Sequence, residues 1–535
     1  MLHCKSCKGS KKDFNKIIFN LPFICVLGFI IPLLFSCSDN NNGMINKTIS
    51  LSSFSSLHND DYVISSKYVF KSLKSIVNND TSNTISDRFV KKYYSKGKPF
   101  LWVSYDGVSS KADSLVEFLE IIDSIGFSRS AFRIKQINAD IERLRSLNFD
   151  STEKSISRTI ARLEYNLTRA LLIYCKGQRY GFTNPNYTLN HFDVKDSDSV
   201  RVNFKKLFDV KSLHPTDSFY NSILESVNSD NFISTLHSFS PQSSLYRRLL
   251  KELQTANSPA YRKQIILNME KCRWMSMDKA SKYGKLIIVN IPSYMLYAYD
   301  IDNDSILTMK IGCGSIKTKT PILESNIYRM DINPIWIIPQ SIVERDIARH
   351  AGNLNYFQTH RYYICKRPSF ERVNIASVSY SMLKSGNYAV VQEGGEGNSL
   401  GRIIFRFANN FSVYLHDTSS RLVFGHSDRR VSHGCIRVQY PYLLAKFLLG
   451  NDNSSLLRRI EYSMTTDIRP KLIDSVLVEP DIDKRMLIKS VDLVQKVPIK
   501  ITYFTLYPDK TGNLTAYGDV YGYDKAILRE LSWYF

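Results

Sequence analysis

Acidic residues are the clearest shortage in this chain: 50 Asp and Glu stand against 71 Lys and Arg in 535 residues, a formal charge of +21. Such an excess draws a protein towards anionic polymers or surfaces. The basic residues are scattered rather than gathered in one block, and no nucleic-acid-binding motif accompanies them, so nucleic acid is not an expected partner. The usual signatures of metal chemistry are missing as well. There is no His-Glu-x-x-His, and the Cys-x-x-Cys pair Cys4 and Cys7 lies in the extreme N-terminal segment. No metal and no cofactor is therefore expected. Beyond residue 37 only five cysteines follow, Cys175, Cys272, Cys313, Cys365 and Cys435, none close to another. An odd count in an exported chain leaves at least one thiol free, while a disulfide among the others stays open.

The chain begins with what reads as a targeting segment, residues 1–36. Lys5, Lys8, Lys11, Lys12 and Lys16 lead into a nearly uninterrupted apolar run over 17–35, which closes on Leu34-Phe35-Ser36-Cys37. That tetrad resembles a bacterial lipobox. Cleavage before Cys37 and acylation of its thiol would leave a lipid-anchored N-terminus, with residues 37–60 as a polar tether. A transmembrane anchor is the rival, because the run is nearly long enough to span a bilayer; Pro22 and Pro32 weaken a helical span. Either reading puts the remaining chain on the periplasmic side of a cell envelope.

From residue 61 to 275 apolar residues fall three and four apart, as over 115–125, 139–147, 157–175 and 245–253, and strand-like alternation is scarce. A helical scaffold domain is expected there. After Trp274 the pattern changes to runs rich in β-branched and aromatic residues, over 285–292, 295–299, 307–312 and 403–415, with Asp302-Asn303-Asp304 as turn residues. The expected fold is thus α+β, a helical N-terminal domain followed by a mainly β domain over 280–535. Residues 341–398 interrupt the β pattern and are rich in basic and aromatic side chains, including Arg345, Arg349, His350, Tyr356, Arg361, Tyr362 and Arg367. They form either a solvated surface insertion or a lid, since long loops in compact domains are commonly functional.

The residues that carry chemistry are His416 and Ser432-His433-Gly434-Cys435-Ile436-Arg437. A thiol attacks only as thiolate and needs a base to activate it at neutral pH. Residues 411–415 alternate like a strand, which would hold His416, the candidate base, at a rigid strand end. Gly434 would let the backbone turn sharply ahead of Cys435, so that N–H groups face a developing oxyanion. A lone cysteine near histidines is more often a small buried hydrophobe, so spacing alone does not decide the matter. His433 reads as a substrate contact rather than the base, Ser432 as the residue that orients the turn, and Arg437 as either a carboxylate anchor or a salt-bridged strand end. The run His426-Ser427-Asp428 reads as a solvated loop.

This constellation resembles the signature of the L,D-transpeptidase (YkuD-type) catalytic domain, a cysteine acyltransferase of bacterial cell walls. Val289-Asn290-Ile291-Pro292, Thr320-Pro321, Asn333-Pro334-Ile335-Trp336 and Leu400-Gly401-Arg402 follow in the order expected of its long, lid-containing branch. Asn268-Met269-Glu270-Lys271-Cys272-Arg273-Trp274, Phe100-Leu101-Trp102 and Glu164-Tyr165-Asn166-Leu167-Thr168 are similar to its scaffold region. The aromatics of these last two segments read as core. The resemblance implies a β-sandwich catalytic domain, closed at its C-terminal end by strands over 497–507 and 514–520, with residues 341–398 as the lid. It implies cross-linking of third-position residues of peptidoglycan stem peptides through a Cys435 thioester, with His416 as base and Gly434 in the oxyanion hole. Donor would be a tetrapeptide stem and acceptor the amine of a diamino acid. His433, Arg437, Ser432, Trp336 and Tyr414 are its candidate substrate contacts, although Trp336 and Tyr414 also read as core. An L,D-carboxypeptidase on the same site, or a wall-binding lipoprotein whose site has decayed, remain the alternatives. Many relatives carry a small peptidoglycan-binding module ahead of the catalytic domain, for which residues 246–274 leave no room.

Overall fold

Residues 163–175 of the long helix Ile156–Tyr180 are buried without exception, polar Glu164, Asn166, Thr168 and Arg169 included. In the computed structural model, which describes residues 64–535 apart from residue 65, 105–106, 151–154, 194–205, 212–213, 276–283, 468–470 and 474–475, helices Ser66–Asn79, Ile85–Ser95 and Ile134–Ser146 pack around it. The targeting segment, Cys37 and the tether lie outside the described residues. Several buried polar residues of the long helix find partners. Glu164 accepts the N–H groups of Leu101, Trp102 and Val103 at 2.5, 2.9 and 3.2 Å and the Tyr94 hydroxyl at 2.9 Å. Trp102, fully buried, donates its indole N–H to Thr168 at 2.9 Å. The motif aromatics in this region are core, as their spacing suggested.

Beyond residue 284 the strands form a closed circuit. In order around it run Ile403–Phe407, Leu415–His416, Ile436–Val438, Ser305–Gly314, Met295–Asp300, Lys285–Asn290, Ser490–Thr502 and Ile322–Ile332, which pairs back onto Ile403–Phe407. The expected sandwich is therefore one sheet curled until its two ends pair. The short strand Phe208–Asp209, from the helical region, adds in parallel to Ile322–Ile332. Helical and strand-rich regions share a single apolar core.

Helix Pro259–Trp274 is the seam between them. Asn268 accepts the N–H groups of Thr505 and Leu506 at 2.9 and 3.2 Å and donates to the Thr505 hydroxyl at 3.1 Å. Glu270 accepts from the Thr183 N–H and hydroxyl at 2.8 and 2.9 Å and from the Trp274 indole at 3.1 Å, while Arg273 lies 3.3 Å away. Lys271 pairs with Asp524 at the start of the C-terminal helix Tyr523–Leu531, which the sequence reading did not anticipate. Helices Ser244–Thr255 and Pro259–Trp274 fill the span in which no wall-binding module was expected.

Two stretches differ from expectation. Residues 411–414 are a turn rather than a strand, and only Leu415–His416 pairs. Asn409 causes this: its side-chain oxygen accepts the N–H groups of Phe411 and Val413 at 2.9 and 3.1 Å, and Ser412 takes a left-handed φ of 55°. At the C-terminal end, Ser490–Thr502 is the long strand, followed by the hairpin Leu506–Pro508 with Leu514–Ala516.

Residues 341–398 are no solvated loop. Strands Glu371–Val373, Tyr362–Lys366 and Tyr388–Gln392 join Trp336–Ile337 in an antiparallel four-stranded sheet. Ile338, Ile342, Val343, Ile347, Phe357, Ile364, Leu383 and Val390 give it an apolar core of its own. The two motif segments that flank it clasp its ends. The Asn333 N–H donates to the Arg402 carbonyl at 2.7 Å, and the Arg402 guanidinium donates back to the Asn333 side chain at 3.2 Å.

Candidate active site

Leu415–His416 runs parallel to Ile436–Val438, with Leu415 opposite Ile436 and His416 opposite Arg437. The Ile436 N–H donates to the Tyr414 carbonyl at 3.1 Å. This register brings Tyr414, His416, Cys435 and Arg437 to one end of two neighbouring strands. The Tyr414 ring meets that of His416 edge-on at 5.8 Å.

The turn before Cys435 is built from Ser432. Its hydroxyl accepts the Gly434 N–H at 3.1 Å and donates to the Cys435 carbonyl at 2.5 Å, the orienting role the sequence suggested. Gly434 has φ of +118°, and nothing comes nearer than 3.8 Å to the place a Cβ would occupy, so backbone conformation rather than space asks for glycine. The Thr320 hydroxyl donates to the Gly434 carbonyl at 2.8 Å, and the Thr318 hydroxyl and Ser315 N–H both donate to the Ser432 carbonyl at 2.9 Å. Thr320-Pro321 thus buttresses the turn from outside. One expectation shifts: the Gly434 N–H is engaged by Ser432, whereas among the described residues nothing accepts from the Cys435 N–H. The latter is the donor free to face an oxyanion.

Cys435 is partly open to solvent. Burial pushes the thiol up to about 11; contacts from the Tyr414 backbone and phenol, and the Arg437 charge, pull the other way. The sulfur faces the Ser412 carbonyl at 3.7 Å. His416 is buried, and burial followed by the nearby Arg437 charge lowers it to about 4, against the opposing carbonyls of Asp417 and Leu400. Its Nδ1 lies 2.5 Å from the Asp417 carbonyl, which assigns the ring proton to that nitrogen and leaves Nε2 with the lone pair. Imidazole and thiol are therefore both neutral at rest.

Asp417 fixes this histidine's backbone. Its carboxylate accepts the Arg402 N–H at 2.9 Å and pairs with Arg421 at 3.1 Å, and its own N–H donates to the Ile403 carbonyl at 2.9 Å. Gly401 gives it room, since a Cβ there would stand 2.4 Å from the carboxyl carbon. Arg437 is lowered by burial, and its Nε has no hydrogen-bond partner among the described residues. Among the described residues no carboxylate pairs with it either, so the salt bridge that one of its two readings called for is not formed. His433 is exposed, with its Nε2 against the guanidinium of Arg345 from the insertion. Trp336 is half-buried in the insertion's own sheet, opposite Gln392, not in the main core. Asp428 accepts the Tyr294 hydroxyl at 3.0 Å and pairs with Arg430, so the His426-Ser427-Asp428 run does not converge as a triad. The five cysteines named above are all free.

Residues 284–456 match the family of the L,D-transpeptidase catalytic domain (YkuD), and residues 88–253 match a scaffold domain. The chain carries an L,D-transpeptidase catalytic domain. A Haemophilus influenzae protein named "Putative L,D-transpeptidase" is 26% identical to it over 326 residues, which is 60% of this chain and 61% of that relative's length. Solved L,D-transpeptidases from Mycobacterium smegmatis and Mycobacterium tuberculosis align with 41% of the chain and 58% and 61% of theirs, at 12% and 13% identity. Their TM-scores are 0.19 and 0.15. In the transpeptidase domain the sequence reading gave Asp417 no role and counted Arg345 only among the basic residues of the insertion. Asp417 adjoins His416 and was open to notice, whereas nothing local links Arg345 to a turn 88 residues away.

Proposed function

We propose that the chain is a peptidoglycan L,D-transpeptidase that cross-links third-position residues of stem peptides through a thioester on Cys435. The observation that carries this reading is the parallel register that gathers Tyr414, His416, Cys435 and the unpaired guanidinium of Arg437. His416 takes the thiol proton as sulfur attacks the carbonyl of the third residue of a tetrapeptide stem, and the terminal amino acid leaves with a proton from His416. Because thiol and imidazole are both held neutral, no thiolate–imidazolium pair waits at rest; the proton moves as the S–C bond forms. The Cys435 N–H faces the tetrahedral oxyanion, a donor of a kind worth about 2.7 to 4 kcal/mol. An amine from a second stem then attacks the thioester. Arg437 receives a stem carboxylate, and Ser432, His433, Trp336 and Tyr414 shape the cleft. Acylation of Cys37 would anchor the enzyme to a membrane on the periplasmic side.

The test is mass spectrometry of products after incubation with a purified disaccharide-tetrapeptide, beside Cys435→Ala and His416→Ala. A dimer linked through two third-position residues, made by the parent and by neither variant, supports the proposal. Tripeptide alone points to an L,D-carboxypeptidase. No turnover, together with no carbapenem adduct on Cys435, points to a decayed wall-binding protein.

A further inference from the structure

Arg345 stands on the insertion, in the π-helical turn Val343–Ile347, a rare geometry that recurs at functional sites. Its guanidinium does two things. Nε and Nη2 form a two-pronged bond to the carboxylate of its neighbour Asp346 at 2.8 and 2.7 Å, and Nη2 also meets Nε2 of His433, two residues before the nucleophile. Arginine has only donors to offer, so His433 must present a lone pair and stands neutral. The charges that face His433 are Arg345, Asp346 and Arg437. Two guanidiniums therefore bracket the turn that carries Cys435, one from the insertion and one from the sheet, with a neutral imidazole between them.

Their anion supply is poor. Arg437 has no acidic partner among the described residues, and its Nε is buried without an acceptor. Among the described residues Arg345 pairs only with Asp346, and that pair is about half exposed on both sides, 52% and 44%. An exposed pair between sequence neighbours contributes little and exchanges readily. The fork that now holds Asp346 has the shape that takes any carboxylate.

Resting on the function proposed above, we infer that Arg345 is a specificity-determining residue carried by the insertion. It binds a carboxylate of the stem peptide at the mouth of the Cys435 site, where the ligand's carboxylate replaces that of Asp346. The carboxylate belongs either to the departing terminal residue of the donor or to the acceptor stem. The experiment uses the full chain purified in detergent and compares donors that end in a free carboxylate or its amide, then acceptors with free or amidated carboxylates. The parent is expected to prefer the free acid in one of these arms by about tenfold to a hundredfold in kcat/KM, the range of a charge-assisted hydrogen bond. Arg345→Gln should abolish that preference mainly through KM, Arg345→Lys should restore part of it, and Asp346→Asn should lower the KM of the free acid. The arm in which the preference collapses identifies the source. Carbapenem labelling of Cys435 in each variant confirms that the site is folded. If Arg345→Gln slows acid and amide substrates alike, the residue only latches the insertion and the inference is overturned. A parent chain that turns over no donor would overturn the proposed function as well.

Discussion

Glu270 and Arg437 are both charged and both drawn out of bulk water, one where the helical region meets the closed sheet, the other beside Cys435. Glu270 is surrounded by donors: Thr183 twice, the Trp274 indole and the Arg273 guanidinium. Arg273 in turn donates to Gln178 at 3.2 Å and to the Tyr246 hydroxyl at 3.1 Å. Arg437 has an orphaned Nε, and its neighbours are a thiol pushed up to about 11 and an imidazole pushed down to about 4. Burying a charged group is tolerated when its partners are supplied, and the junction supplies them to Glu270 and Arg273. The cleft leaves its groups wanting. It is the region in which a ligand can make up the deficit, and where perturbed groups mark chemistry rather than stability.

That contrast can be broken by mutation. Removing the proposed nucleophile should have the largest effect on activity and almost none on folding: Cys435→Ala should lose at least about 10⁴-fold in kcat with a thermal midpoint close to the parent's, read by peptide release and calorimetry. His416→Ala should cost about 10²- to 10⁴-fold in kcat. At the junction the ranking should invert. Glu270→Ala leaves Arg273 buried without its carboxylate and should cost about 3 to 5 kcal/mol of stability in urea unfolding. Asn268→Ala, which strands the N–H groups of Thr505 and Leu506, should cost about 2 kcal/mol. A junction variant that lost activity while keeping its unfolding midpoint would erase the distinction.

The subtlest test is pH. Folding carries His416 from 6.5 down to about 4. Between those values the unfolded chain holds a proton that the folded chain lacks, so stability rises with pH across that window, and the contribution is lost as pH falls through it. His416→Gln should flatten this slope. The acid limb of kcat/KM should likewise fall near pH 4, not near 6.5, because the free enzyme needs His416 neutral. A limb near 6.5 would mean that the cleft is wetter than the structure shows.

Much of the site was legible because its residues are close in sequence. Ser432, Gly434 and Cys435 form a turn through bonds that span two or three residues, and such local geometry leaves a local signature. Long helices were legible from their period for the same reason. The turn at 411–414 was misread because alternating side chains suggest a strand, while the Asn409 amide that captures the backbone carries no periodic signal. The insertion looked irregular because its strands are as short as three residues, yet their pairing and shared apolar core make it a folded unit.

The groups able to do chemistry, the thiol, the imidazole and the guanidinium, and the order of helical and strand-rich regions are written in the amino-acid order alone. Those follow from residue identity and periodicity. The packed fold alone settles that the sheet closes on itself, that His416 lies opposite Arg437, and that Arg345 reaches His433. Each of these depends on groups distant in the chain, or on how much water remains around a side chain, and neither is set until the core has packed.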